Sequence, residues 1–314
     1  MNTQSSVSTY GGLIKTRAAE LGFDACGISR AGLLEEDSNR LSDWLAAGHN
    51  GSMGYMANHF DKRVNPALLV EGAKSVITVL LNYYTDKSQA DPNAPVISKY
   101  ALGKDYHYVL KERLSKLLSY IQSELVPCQG RAFVDSAPVL EKTLAKEAGL
   151  GWIGKNTLLI NPRLGSYIFI GELILDVELD YDEPFGNNLC GSCTRCMDSC
   201  PTGAIIAPSR LDARKCLSYL TIETKEEVPE SLAENFSNRL VGCDICQQVC
   251  PWNSKAQQNE VPEFLPKTEL LNMSANDWQQ FDRQAYKRLF KGTAVERAGF
   301  SRIIRTLGLL SGNK

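Results

Sequence analysis

The residues with the plainest chemistry are cysteines. Cys190, Cys193, Cys196 and Cys200, with Pro201 behind them, follow the spacing C-x2-C-x2-C-x3-C-P, the run by which bacterial ferredoxins hold 4Fe–4S clusters. Three thiolates close together can hold three irons of one cubane, and the fourth, set off by three residues and a proline, points towards a second. A later block, Cys243, Cys246, Cys250 and Pro251, is the same run without its first cysteine, and Leu240 stands where that cysteine would be. Cys216 is the only spare thiol nearby and takes the missing role. The cross-over rule then wires Cys190, Cys193, Cys196 and Cys250 to one cluster, and Cys200, Cys216, Cys243 and Cys246 to the other.

Zinc also favours C-x2-C pairs, but gives no reason for two C-x3-C-P endings. A disulfide framework needs an oxidising compartment and usually a small secreted chain. Cys26 stands alone and reads as a buried hydrophobe.

Composition sets the frame. The chain has 314 residues, 43% of them apolar, and a net charge of −2, enough for two domains with a sizeable core and no global field for polyanions. Residues 282–314 hold eight Lys/Arg against two Asp/Glu, a basic tail on an acidic body that suits a local polyanion or a solvated helix face. The first ten residues carry no apolar leader and no twin arginine, and no run reaches membrane-spanning length. The expectation is a cytoplasmic protein in which thiols stay reduced.

The positioning elements follow from periodicity. Leu13, Ile14, Ala18 and Leu21 recur at helical spacing before Gly22, and residues 23–28 read as a short strand. Ser38 is placed as the cap of a helix bearing Leu41, Trp44 and Leu45, ended by Gly48. Pro66 reads as a first helical residue. Residues 75–84 form an apolar, β-branched run, as in a strand buried on both faces. Residues 105–125 read as a long amphipathic helix, 131–135 as a strand ending in a carboxylate, 138–148 as a helix, and 156–161 and 167–179 as strands. Alternating strands and helices before residue 180 indicate an α/β (α+β) domain. The expected division is 1–180, a cluster domain over 181–256, and a helical basic tail over 257–314 with Leu289, Phe290, Ile303, Ile304 and Leu307 in its core.

Two motifs point elsewhere. Gly149, Gly151 and Gly154 match G-x-G-x-x-G, and Lys155-Asn156 nearly completes a P-loop, but both motifs require a strand before the glycines, and here a helix precedes them. Asp105 and His107 begin a D-x-H-x-x-G cobalamin signature, with Leu110 where its glycine should be.

Several stretches together resemble the epoxyqueuosine reductase family: Lys62-Arg63-Val64 with Pro66, Gly103 to His107, Val134-Asp135, Gly154-Lys155-Asn156, Gly165-Ser166, both cysteine blocks, and Asn238-Arg239-Leu240 before Gly242-Cys243. The resemblance implies reduction of epoxyqueuosine at the tRNA wobble position to queuosine, the last step of queuosine biosynthesis. It implies two 4Fe–4S clusters, and base-off cobalamin in an α/β domain resembling that of reductive dehalogenases. An external low-potential donor would pass electrons singly through the clusters to cobalt, in a monomer that needs no membrane. Many relatives continue into helical repeats that grip tRNA. This sequence stops at Lys314, so its tail would grip tRNA alone or less tightly.

Residue roles follow from the same resemblance. Asp135 would donate the proton to the opening epoxide, a step worth about 10²–10⁴-fold, and would need a pKa raised by burial. On the residues alone, Asp135 reads better as the cap of the following helix. Arg63, Ser98, Tyr106, His107, Asn156, Leu159, Ile170 and Ser218 fall where the family contacts cobalamin or lines its pocket. Lys225, Arg297, Arg302 and Arg305 are the candidates for tRNA phosphate, on charge as well as on resemblance. Two other classes remain: a ferredoxin-type electron-transfer protein, and a cobalamin-dependent reductive dehalogenase of a small molecule.

Overall fold

The computed structural model describes residues 3–312; Lys314, one cation of the basic tail, lies outside them. Its centre is a four-stranded sheet of order β1-β2-β7-β4, with β1 Ala25–Arg30, β2 Ser75–Asn82, β4 Gly130–Phe133 and β7 Ile168–Leu175. Every pairing in it is antiparallel. The alternation of strands and helices did not impose parallel strands, because the connections include long loops rather than helices alone.

The β2 run is buried at every position, as its sequence predicts. Period-2 alternation gives each face its own partners. Ile77, Val79 and Leu81 meet Ile14 and Ala18 of the helix Thr3–Glu20 and Leu110, Leu114 and Leu117 of the helix Tyr106–Tyr120. On the other face, Val76, Leu80 and Ile174 meet Leu144, Ala145 and Ala148 in and just after the helix Glu141–Glu147. Truncating a side chain as buried as Leu114 would cost about 2–5 kcal/mol.

Several boundaries differ from the sequence reading. The helix Glu35–Ala46 begins before Ser38, and Leu34 at its N-cap makes no side-chain bond. The helix after Asp105 ends at Tyr120 and continues as a wider turn over Ile121–Leu125. The strand before Asp135 stops at Phe133, and the next helix starts at Glu141. Ile304, placed in the core by its sequence, is exposed, while Leu289, Phe290 and Ile303 are buried.

A second core joins the parts of the chain. Short β3, Val96–Ile97, pairs in parallel with β10, Arg239–Val241. Around that pair, Ala101 and Leu102 pack with Trp278, Phe281, Phe290 and Ile303. A buried polar network adds to the join. Asn253 Oδ1 accepts the Ser166 N–H (2.7 Å), Asn253 Nδ2 donates to the Gln247 carbonyl (2.8 Å), and Gln247 Nε2 donates to the Ser166 carbonyl (2.9 Å). Gly165 is required here: its φ is +73°, and a Cβ would lie 2.2 Å from Asn253 Oδ1. Among the described residues, no helix is long and apolar enough to cross a membrane.

Candidate functional site

The thiols sit on turns and on the ends of very short helices. Cys196 lies in the helix Arg195–Asp198, Cys246 in the helix Ile245–Gln248, and these two helices pack together. Cys216 caps the helix Leu217–Ile222, and Cys250 caps the turn Pro251–Asn253. Burial and then the neighbouring Cys190, Cys250 and Cys193 push Cys196 up; Cys250 likewise feels Cys190 and Cys193. Burial and Cys216 push Cys243 up to about 11, and Cys216 itself feels Cys200. Cys246 is raised by burial and then by Cys216 and Cys243. Among these neighbourhoods Cys196 and Cys250 share Cys190 and Cys193, while Cys246 feels Cys216 and Cys243 as well as Cys196.

Among the described residues, no three His, Cys, Asp or Glu side chains gather as a single-ion site. A cubane carries iron at four corners, so its thiolates stand apart around it, whereas zinc draws its ligands to one point. A cavity of about 240 Å³ is lined by Cys190, Cys193, Cys196, Cys250, Trp252 and Asn156. Donors already point at sulfur: Trp152 Nε1–H lies 3.4 Å from Cys190 Sγ, and the Ala204 N–H lies 3.3 Å from Cys200 Sγ. Such bonds stabilise thiolate charge and tune a cluster's potential. Lys155, the near-P-loop lysine, donates to the Gly191 and Cys193 carbonyls at 2.7 and 3.0 Å. The glycines before it make a helix stop at Gly149 and the β5–β6 hairpin, Trp152–Ile153 with Leu159–Ile160.

The second constellation surrounds Asp135. The residue lies two positions past β4, at the centre of a three-residue turn closed by the Ser136 N–H on the Val134 carbonyl, with φ +53°. A left-handed non-glycine residue costs on the order of 1 kcal/mol. Asp135 does not cap the following helix, whose N-cap is Leu140. Instead its Oδ2 accepts the Tyr106 hydroxyl at 2.7 Å and faces His107 Nε2 at 3.3 Å. Tyr106 is stacked on Phe169, with ring centroids 4.2 Å apart and planes 7° off parallel. His107 Nδ1 lies 2.7 Å from Asp105 Oδ1, the same oxygen that caps the helix through the His107 N–H. One face of the ring is thereby fixed by Asp105 and the other turned to Asp135.

The electrostatics correct one expectation. Burial pushes Asp135 up, but hydrogen bonds from His107 and Tyr106, with the charges of His107 and Arg297, hold it below the usual carboxylate value. Burial opposes charge on His107, yet its bonds to Asp105 and Asp135 outweigh that and lift it to about 9. At neutral pH, therefore, the proton rests on His107 and Asp135 is a carboxylate.

The remaining expected residues fall into distinct places. Arg63 is buried and donates to the Tyr55 carbonyl at 3.1 Å, while its Nε has no partner. Asn156 is buried with Nδ2 unpartnered, next to buried Leu159 of β6. Ser98 is buried just after β3, Ile170 is part of β7, and Ser218 is the second residue of the helix that follows Cys216. Lys225 is exposed. Arg297 pairs with Glu223 (2.9 and 3.1 Å) and lies over the Tyr55 ring. Arg302 donates to the Thr224, Glu223 and Ala298 carbonyls, and Arg305 to those of Thr224, Glu226 and Leu220. These two arginines clamp the 220–226 loop; their guanidinium groups face carbonyls, not open solvent alone.

Sequence reasoning missed Glu141, Trp152 and Glu172. Only Glu172 left a signal, as a lone acid in the apolar run of β7. Trp152 gave none, because a two-residue strand is too short to show periodicity.

Comparison with known proteins accords with this geometry. The family model described as "Epoxyqueuosine reductase QueG, DUF1730" matches residues 63–136, and that of the "4Fe-4S double cluster binding domain" matches residues 189–253. The epoxyqueuosine reductase of Leadbetterella byssophila is 50% identical over 301 residues, covering 96% of this chain and 98% of that protein. An epoxyqueuosine reductase structure with an epoxyqueuosine-modified tRNA-Tyr stem loop aligns with TM-score 0.89 at 30% identity, over 96% of this chain and 80% of that one. The Bacillus subtilis epoxyqueuosine reductase, solved with its catalytic aspartate loop swung out of the active site, aligns with TM-score 0.88 at 29% identity, over 96% and 81%.

Proposed function

This chain belongs to the epoxyqueuosine reductase family, and from that premise we propose how its residues reduce epoxyqueuosine in tRNA to queuosine. The observation that carries the reading is Asp135, held by Tyr106 and His107, in a chain whose two cysteine blocks carry ferredoxin spacing.

The net change is removal of the epoxide oxygen as water, taking up two electrons and two protons and leaving an alkene. Cobalamin, bound base-off, would supply low-potential electron chemistry at carbon, and the clusters would carry single electrons to it from an external donor. Buried donors without partners, Arg63 Nε and Asn156 Nδ2, suit a cofactor rimmed with amide carbonyls and carrying a phosphate. Ser98, Leu159, Ile170 and Ser218 would complete that wall, and Cys190, Cys193, Cys196 and Cys250 with Cys200, Cys216, Cys243 and Cys246 would hold the two clusters.

The protein's own part is the proton. As the carbon–oxygen bond opens, the oxygen becomes strongly basic, and a positioned acid removes the cost of an alkoxide. His107 holds that proton and Asp135 presents it, with Tyr106 fixing the carboxyl. Asp105 keeps the imidazolium ring oriented. Lys225 and Arg297 would meet tRNA phosphate. Arg302 and Arg305 would serve by shaping the loop that carries Lys225. A monomer and an external low-potential electron donor belong to the same proposal.

The direct test is mass spectrometry of tRNA nucleosides after anaerobic incubation with cobalamin and a reductant. Conversion of epoxyqueuosine to queuosine is expected. Unchanged tRNA from protein loaded with iron and cobalamin would overturn the reading.

A further inference from the structure

Behind Asp135 lie two carboxyl groups that the proton path does not use. Glu141, the first residue of its helix, accepts the Asp135 backbone N–H on Oε1. Glu172 lies in the middle of β7, fully buried, with neither carboxyl oxygen hydrogen-bonded. Its cross-strand neighbours are Phe133, two residues before Asp135, and Thr78, whose buried hydroxyl also lacks a partner. By strand alternation Glu172 points to the face covered by the helix Glu141–Glu147. A left-handed turn on a non-glycine residue persists only where its surroundings hold it, and the Glu141 carboxyl is the side chain that takes this one's backbone N–H.

We propose that Glu141 is a positioning residue for the reduction: by accepting the Asp135 N–H it locks the turn that aims the Asp135 carboxyl at Tyr106 and His107, with Glu172 as the buried floor behind it. The inference rests on Asp135 as the group that passes the His107 proton to substrate, and adds the device that aims it. The ionisable groups around Glu141 are Asp135 on the turn, His107 and Tyr106 on the facing helix, Lys142 beside it, and Glu172 on the sheet. Lys142 does not neutralise the pair through a direct bond, since its Nζ donates to the Thr157 carbonyl (2.7 Å). Burial, and then the Asp135 charge, lift Glu141 to about 8, and burial lifts Glu172 well above the usual value. Below about pH 8 the Glu141 carboxyl that backs the turn is therefore neutral. Above it, a second negative charge appears beside Asp135.

The test compares Glu141→Ala with Glu141→Gln in the full-length, iron-loaded protein. Alanine removes the acceptor, while glutamine keeps an oxygen for the Asp135 N–H and cannot ionise. Three histidines in the chain make the His107 titration accessible by NMR. In E141A its midpoint should fall from about 9 towards the ordinary histidine value, because Asp135 no longer faces the ring; E141Q should restore it. Turnover in E141A should drop by about 10²-fold in kcat, as for a misplaced catalytic group, with KM for tRNA little changed, and E141Q should recover most of that loss. E141Q should also move the onset of the alkaline decline in rate from about pH 8 to about pH 9, where His107 loses its proton. An unchanged His107 midpoint in E141A, or a decline in E141Q that still begins as early as in the wild type, would overturn the proposal. The titration does not depend on turnover, so it stands apart from any failure of the assigned reaction.

Discussion

His107 Nε2 and Asp135 Oδ2 lie 3.3 Å apart, a cation facing an anion. Neither partner could hold its charge state alone. The ring charges because Asp105 and Asp135 accept from it, and the carboxyl stays ionised because His107 and Tyr106 donate to it. Removing either half therefore alters the other.

Replacing Asp135 with Asn keeps the shape of the side chain but removes the proton carrier. Turnover on epoxyqueuosine-tRNA should fall by about 10²–10⁴-fold, with iron content and cobalamin uptake retained. A wild-type rate in this variant would remove Asp135 from the mechanism.

The His107 pKa is raised to about 9 in the folded chain, against about 6.5 when unfolded. Its stabilising contribution is therefore complete below pH 6.5 and lost as pH rises through about 9. Thermal melts of the wild type should show a fall in Tm between pH 7 and pH 10, and His107→Gln should lose that part of the slope. An identical slope in both proteins would contradict the ion pair.

The wiring of the clusters can be counted. The anaerobically purified protein should contain about eight irons. Cys250→Ser and Cys193→Ser should each lose one cluster, and the double variant no more than either alone. Combining Cys250→Ser with Cys216→Ser should lose both. Iron analysis and the visible absorption separate these outcomes, and additive loss in the Cys250/Cys193 pair would reject the cross-over.

Arg305 holds three carbonyls of the 220–226 loop. Arg305→Ala should destabilise the protein by about 2 kcal/mol, the scale of hydrogen bonds to a charged donor, measured by denaturant unfolding. Lys225→Ala should leave stability unchanged but weaken tRNA binding and reduce its salt slope by about one. Equal effects of the two substitutions on stability would show that the loop is not clamped.

What the sequence made legible was local chemistry. Thiol spacing is a local pattern, because a cubane fixes distances along a few residues, and by elimination it offered Cys216 as the eighth ligand. The buried run of β2 was equally plain, since every position is apolar or small. Asp135 was found through resemblance, but its ionised state was not. That state depends on Tyr106 and His107, which come from another helix, and no local pattern encodes such a meeting. The same holds for Arg302 and Arg305. Their charge suggested phosphate, but the fold brings carbonyls about 80 residues earlier in the chain up to them. Strand direction was also hidden, because an apolar run reads alike in either pairing.

The short ladder between β3 and β10 has a wider consequence. Cys243 follows one strand by two residues, while the other leads through Ser98 and Tyr100 to Tyr106. The second cysteine block and the Asp135 site are thus hung from one hydrogen-bonded seam. Their spacing is set once, at folding, rather than by a docking event repeated each cycle. A mutation that loosens this seam would shift one against the other while leaving the side chains of both intact.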